Sequence, residues 1–103
     1  MNKPNRGKKS ESRPGAWADL ARIFKALSHP ARVRIAGRLL QGDCCVSEAG
    51  ACLDISQPNV SQHFKILKDA GLVVSRREGA KICYRLADPR VARILNSLLN
   101  EEK

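Results

Sequence analysis

No stretch of the chain is apolar for the roughly 20 residues that a bilayer-crossing helix needs, and the N-terminus lacks the apolar core of an export signal. These absences predict a cytoplasmic protein with no membrane partner. Internal repeats and long low-complexity segments are also missing. There is no paired acid/base constellation, glycine-rich phosphate loop or metal-hydrolase motif, and no cysteine has a histidine placed to make it a nucleophile, so an enzyme is not expected. Acidic residues are scarce: 10 Asp and Glu stand against 19 Lys and Arg, a net charge of +9. Four cysteines without an export signal argue against a disulfide framework and for reduced thiols, whether buried, sensing or metal-binding.

The positive charge is unevenly placed. Residues 1–15 carry Lys3, Arg6, Lys8, Lys9 and Arg13 against Glu11, and residues 56–86 carry Lys65, Lys68, Arg76, Arg77, Lys81 and Arg85 against Asp69 and Glu78. Each segment is +4, and together they hold nearly all the excess. Solubilising charge would be spread evenly; this partition implies a polyanion partner.

Residues 1–15 have no apolar residue beyond Met1 and read as a disordered basic arm, able to track phosphates or to remain a solvated tail. Residues 16–100 read as one domain, with 101–103 as a tail. Trp17, Leu20, Phe24 and Leu27 form the stripe of a first helix, and Ser28-His29-Pro30 ends it and starts a second. The second runs through Val33, Ile35, Ala36, Leu39 and Leu40 to a stop at Gly42, with Arg32, Arg34 and Arg38 on its wetter side. Asp43 is the expected N-cap of a short third helix reaching about Leu53, and Ser56 that of a fourth, with Pro58 in its first turn.

In the fourth helix Val60, Phe64, Leu67 and Gly71 share one stripe, leaving Gln57, Asn59, Ser61, Gln62 and Lys65 elsewhere. Two short helices joined tightly, the second polar near its start, make a helix-turn-helix. Gln and Asn side chains suit adenine edges in a major groove. Leu72 to Leu86 reads as strand, Glu78-Gly79 turn, strand, with Ile82, Tyr84 and Leu86 packing and Lys81, Cys83 and Arg85 wet. Tipped by Arg76, Arg77 and Lys81, that hairpin is a wing for phosphates or a minor groove. Asp88-Pro89 opens a last helix with Val91, Leu95 and Leu98 on its stripe. The expected fold is mainly α with a small β-hairpin: a winged helix-turn-helix of four helices, two strands and a fifth helix.

Three segments carry a family likeness: Lys25 to Ile35, Ser56 to Leu72 and Gly79 to Val91. Together they resemble the ArsR/SmtB family of winged-helix repressors over roughly Leu20 to Leu99. The resemblance implies a homodimer built on the first and last helices, here Trp17, Leu20, Phe24, Val91, Leu95 and Leu98. It further implies an inverted-repeat, double-stranded DNA operator released when an inducer binds. Gln57, Pro58, Asn59, Ser61, Gln62, His63 and Lys65, with Arg76, Arg77 and Lys81 of the wing, are the candidate DNA-binding residues. An architectural or weakly specific DNA binder with no inducer is the other reading of the same basic surface.

Members of that family often sense thiophilic metals through a Cys-x-Cys pair at the start of the third helix; here Cys45 matches the first and Ser47 occupies the second. Cys44 and Cys45, with Cys52 or another subunit, are the expected thiol site for As(III), Cd(II) or another soft ion, an oxidant or a persulfide. Helix-terminal thiols should have lowered pKa values, although Cys52 also reads as a small buried hydrophobe. Cys83, on the wet face of the wing, is a further candidate whose oxidation would weaken DNA contact. The family's other metal site, a zinc cluster of Asp and His on the last helix, is not expected, because no histidine follows His63 and Asp88 reads as a cap. His29 reads as a helix-boundary residue and His63 as a polar residue facing DNA.

Overall fold

The computed structural model describes residues 15–100; the basic arm expected over 1–15, apart from Gly15, and the tail at 101–103 lie outside the described residues. In chain order the elements are α1 (Ala16–Ala26), α2 (Pro30–Leu39), β1 (Cys44–Cys45), α3 (Val46–Leu53), α4 (Gln57–Asp69), β2 (Val73–Glu78), β3 (Lys81–Leu86) and α5 (Pro89–Asn100). No helix among them is long and apolar enough to cross a membrane.

The helix boundaries follow local chemistry. The His29 ring accepts from the Ala31 amide at 3.0 Å and Pro30 occupies the first turn of α2, the boundary role expected of that histidine. The Ser56 hydroxyl accepts from the Asn59 amide and caps α4, with Pro58 in its first turn. Asp88 accepts from the Arg90 amide at 3.0 Å at the start of α5. Gly71 (φ 83°) and Gly79 (φ 62°) take the left-handed conformations that end α4 and turn the wing.

One core joins all the elements. Ile23, Ala26 and Leu27 of α1, Ile35, Ala36 and Leu39 of α2, and Val60, Phe64 and Leu67 of α4 are buried together with Leu72, Val73, Val91 and Leu95. Tyr84 of β3 stacks on Phe64 with ring centroids 4.1 Å apart, fixing the wing against α4. Arg90 of α5 bonds both Asp88 and Asp19 (2.8 and 2.9 Å), tying the last helix to the first. Bonds from Arg22 and then Arg90 hold the Asp19 carboxyl below the ordinary aspartate range, and the Arg90 bond does the same for Asp88.

Several expectations need correction. The expected hairpin is the greater part of a three-stranded antiparallel sheet, ordered β1-β3-β2. Cys44 and Cys45 form the added strand, so α3 starts at Val46, with Cys45 as N-cap rather than Asp43. The first-helix stripe also divides: Ile23 and Ala26 enter the core, whereas Trp17 (67% exposed) and Phe24 (53%) do not. On α5, Val91 and Leu95, assigned to the dimer seam, are buried in the protomer's own core, and Leu98 (63%) is exposed. The three- and four-residue spacing of apolar positions places them on one broad side of a helix without saying which edge of that side the chain covers itself.

Candidate nucleic-acid interface

α3, the turn at residues 54–56 and α4 form the helix-turn-helix, and the turn is closed by backbone contact. The Ile55 amide donates to the Gly50 carbonyl at 3.0 Å, and a Cβ built on Gly50 would lie 2.9 Å from the Ile55 carbonyl oxygen. Only glycine admits that approach without displacing the turn. Asp54 turns the chain with φ 58°, a left-handed conformation that aspartate tolerates better than most residues. The sequence reading passed over Gly50; a glycine inside a helical pattern was the available signal.

α4 is buried on one side through Val60, Phe64 and Leu67, each 0% exposed. Gln57, Asn59, Ser61, Gln62 and Lys65 are exposed, as the periodicity predicts, and so is Pro58. Lys65 also reaches Asp69 across one helical turn (3.2 Å). Beside the start of α4 lies a cavity of about 290 Å³ whose walls include Gln57 and Ser61, Lys81 of the wing, and Cys45 and Ser47 at the start of α3. Lys68 at the other end of α4 donates to Ser75 of β2 at 3.0 Å, a second tie between helix and wing.

Two members of the candidate set have other engagements. His63 is half-buried, its ring 4.6 Å from that of His29 and its Nδ1 3.4 Å from Arg32. Burial, then the charges of His29 and Arg32, lower its pKa below the ordinary histidine value. Its ring thus packs between α2 and α4, on the α2 side of the recognition helix. Arg76 is bound by Asp43 and by Glu78 (3.1 and 2.9 Å), so its charge is already balanced. Arg77 and Lys81 are exposed, and among the described residues neither makes an ion pair.

The cysteines differ most from expectation. Cys45 and Cys83 are disulfide-bonded across β1 and β3, contrary to the expectation of reduced thiols throughout. Cys83 is 1% exposed, not wet, because β1 covers the edge of β3 that a two-stranded hairpin would leave open. Cys44 faces the core, and burial raises its thiol pKa, the opposite of the lowering expected at a helix start. Successive strand residues point to opposite faces, so Cys44 and Cys45 do not converge on one ion and the expected pair does not fit a thiophilic metal. Cys52 is exposed rather than buried. The sulfurs of Cys45 and Cys83 instead meet Glu78, with the ligand atoms of all three within 4.8 Å of one another.

A helix-turn-helix followed by a β-wing, with a polar exposed helix face and free basic side chains on the wing, defines a winged helix-turn-helix protein. The comparisons with known proteins specify the family. The description "Bacterial regulatory protein, arsR family" matches residues 29–75. A biofilm growth-associated repressor from Agrobacterium fabrum is 45% identical over 80 residues, 78% of this chain and 68% of that protein. The crystal structure of the transcriptional repressor BigR from Xylella fastidiosa superposes with a TM-score of 0.81 at 31% identity, covering 90% of this chain and 95% of that one. The homodimeric winged helix-turn-helix DNA-binding domain of a protein from Mycobacterium bovis, described as a possible ArsR-family transcriptional regulator, superposes with a TM-score of 0.72 at 30% identity, covering 99% of this chain and 92% of that one. The chain belongs to the ArsR/SmtB family: it is a DNA-binding transcriptional regulator, not an enzyme.

Proposed function

We propose that the chain is a cytoplasmic, homodimeric repressor that reads a palindromic operator with the exposed face of α4 and is released by a thiol-directed inducer. The carrying observation is the division of α4: Val60, Phe64 and Leu67 are fully buried while Gln57, Asn59, Ser61 and Gln62 stand exposed beside the wing. A helix so anchored presents short amide and hydroxyl groups at fixed positions, the chemistry that discriminates base edges. Pro58 fixes the first turn, and Lys65, Arg77 and Lys81 supply phosphate contacts. Arg76 orders the wing through its two carboxylates. Trp17, Phe24, Leu98 and Leu99 leave an exposed apolar seam on α1 and α5 that a two-fold partner would cover, with Leu20 at its margin. Such pairing sets two recognition helices about 34 Å apart, one DNA turn, and makes the operator palindromic. As(III), Cd(II), oxidants and persulfides all act on sulfur, and Cys45 and Cys83 join the helix-turn-helix to the wing.

Gel-shift titration of a palindromic promoter site against random DNA of equal length tests this reading. Gln57→Ala and Ser61→Ala should each cost roughly 1–3 kcal/mol of discrimination. Arg77→Ala should weaken both DNAs alike and lower the salt slope by about 1. A specificity ratio near one for the unaltered protein at physiological salt refutes a repressor.

A further inference from the structure

We propose that Cys45, Cys83 and Glu78 form a redox-gated site for a soft divalent cation, placed where β1 meets the wing. Its coupling to DNA rests on the repressor reading above; its coordination chemistry does not.

The sheet register builds the site. Cys45 pairs with Cys83 between β1 and β3, and Cys83 pairs with Arg76 between β3 and β2, so one row of side chains crosses all three strands. Glu78 lies on the same face of β2, two residues from Arg76. Arg76 holds the Glu78 Oε2 atom with Nε and Nη2 at 3.1 and 2.9 Å, while Oε1 lies 4.0 Å from the Cys83 sulfur. A carboxylate held by one oxygen with the other aimed at sulfur is a ligand oriented by its neighbour. Asp43 also bonds Arg76 and balances the charge that would otherwise oppose a cation.

Two thiolates and one carboxylate match soft and borderline divalent ions, and three protein ligands leave a fourth tetrahedral position for water. Zinc–sulfur bonds of about 2.3 Å in that geometry place the sulfurs roughly 3.8 Å apart, under about 2 Å more than in a disulfide, and the slightly longer bonds of a larger soft ion add a few tenths of an ångström, a change within side-chain rotation. The gate follows because the same sulfurs cannot serve both states. As a disulfide they have no thiolate to offer, and with a cation bound neither is free to be oxidised.

The interconversion balances with common reagents. A dithiol reductant attacks one sulfur, breaks the S–S bond through a mixed disulfide and departs as its own cyclic disulfide, leaving two cysteine thiols. A hydroperoxide reverses this. The Cys45 thiolate attacks the terminal peroxide oxygen, the O–O bond breaks, and the alkoxide leaves and takes a proton to become an alcohol. The Cys83 thiolate then attacks the resulting Cys45 sulfenic acid and expels its hydroxyl as water. Overall, two thiols and one hydroperoxide give a disulfide, an alcohol and water. Cys45 is the sulfur reached first, because it caps α3 and lines the cavity beside Gln57 and Ser61, whereas Cys83 is covered.

The test is anaerobic titration of the reduced full-length protein with Cd(II) alone, read by thiolate-to-cadmium ultraviolet absorption. One ion per protomer with the intensity of two thiolates is expected, and none after stoichiometric oxidation by hydroperoxide. Cys83→Ser should halve the band, Glu78→Gln should keep it but weaken binding at least about tenfold, since losing a ligand costs no less than losing an outer partner, and Cys44→Ser and Cys52→Ser should change nothing. Full binding by the oxidised protein or by Cys83→Ser, or loss with Cys52→Ser, overturns the proposal. Should Cys83→Ser fail to fold by circular dichroism, unchanged affinity in both Glu78→Gln and Arg76→Ala overturns it instead. Intact Cd(II) binding without any preference for operator DNA would support the site and refute the repressor reading, so the two failures are distinct.

Discussion

Phe64 and Tyr84 hold the recognition helix and the wing in one orientation, and a double-mutant cycle between them measures how strongly. Their rings are stacked within 5° of parallel at a centroid distance of 4.1 Å, Phe64 fully buried and Tyr84 half-buried. An aromatic pair is worth about 0.5–1.5 kcal/mol beyond the area its members bury. Truncating Phe64 to alanine would add a cavity cost of about 3–5 kcal/mol, a large share of a small domain's total stability. Leucine at each position removes the stacking and keeps most of the packing. The single Phe64→Leu and Tyr84→Leu variants and the double variant, unfolded in urea at one fixed protein concentration, should give a coupling energy of about 0.5–1.5 kcal/mol. In thermal melts a 1 kcal/mol coupling corresponds to roughly 4–8 °C for a domain of this size. Fixed concentration matters because dimerisation would otherwise enter every midpoint. Additivity within about 0.3 kcal/mol would show that the stacked rings act independently and that α4 and the wing are aligned by other contacts.

A pH dependence follows from His63, whose folded pKa is lowered by burial. The unfolded chain takes up its proton first, near about 6.5, so the contribution of His63 to stability is complete above that pH. It is lost as pH falls toward the lower folded value. Urea midpoints should therefore decline below pH ~6.5 in the native protein and decline less in His63→Phe; equal slopes would contradict a half-buried imidazole held neutral by its surroundings. At Gly50 an added methyl meets the Ile55 carbonyl oxygen, so Gly50→Ala should destabilise by about 1–3 kcal/mol. Gly37, inside α2 with nothing within 4 Å of its built Cβ, should tolerate alanine and gain about 0.5–1 kcal/mol. Calorimetric melts of the pair that moved in the same direction would refute the close-approach argument.

Local pattern was enough to place the helices. The four-residue spacing of Val60 and Phe64, with Leu67 three beyond, the capping serine at 56 and the prolines at 30, 58 and 89 are short-range signals, and the structure keeps the elements they imply. The exposed face of α4 was legible for the same reason, since period and side-chain chemistry both act within one helix. The alternation in Lys81 to Leu86 holds at Lys81 and Arg85, which are exposed, and fails at Cys83, which is buried where β1, 38 residues earlier in the chain, pairs along the edge of β3. The surroundings of His63 and Arg76 are illegible in the sequence for a similar reason. Their neighbours, His29 and Arg32 for one and Asp43 for the other, come from distant segments.

The sequence by itself determined the element types, the concentration of charge in two segments and the polar face of the fourth helix, since each depends on residues within a few turns of one another. Tertiary structure alone decided which edge of α1 and α5 the protomer buries, the close approach at Gly50 and the meeting of Cys45, Cys83 and Glu78. The physical reason is register: a two-residue strand has too little pattern to be seen in sequence, yet once paired it decides which sulfur faces which partner.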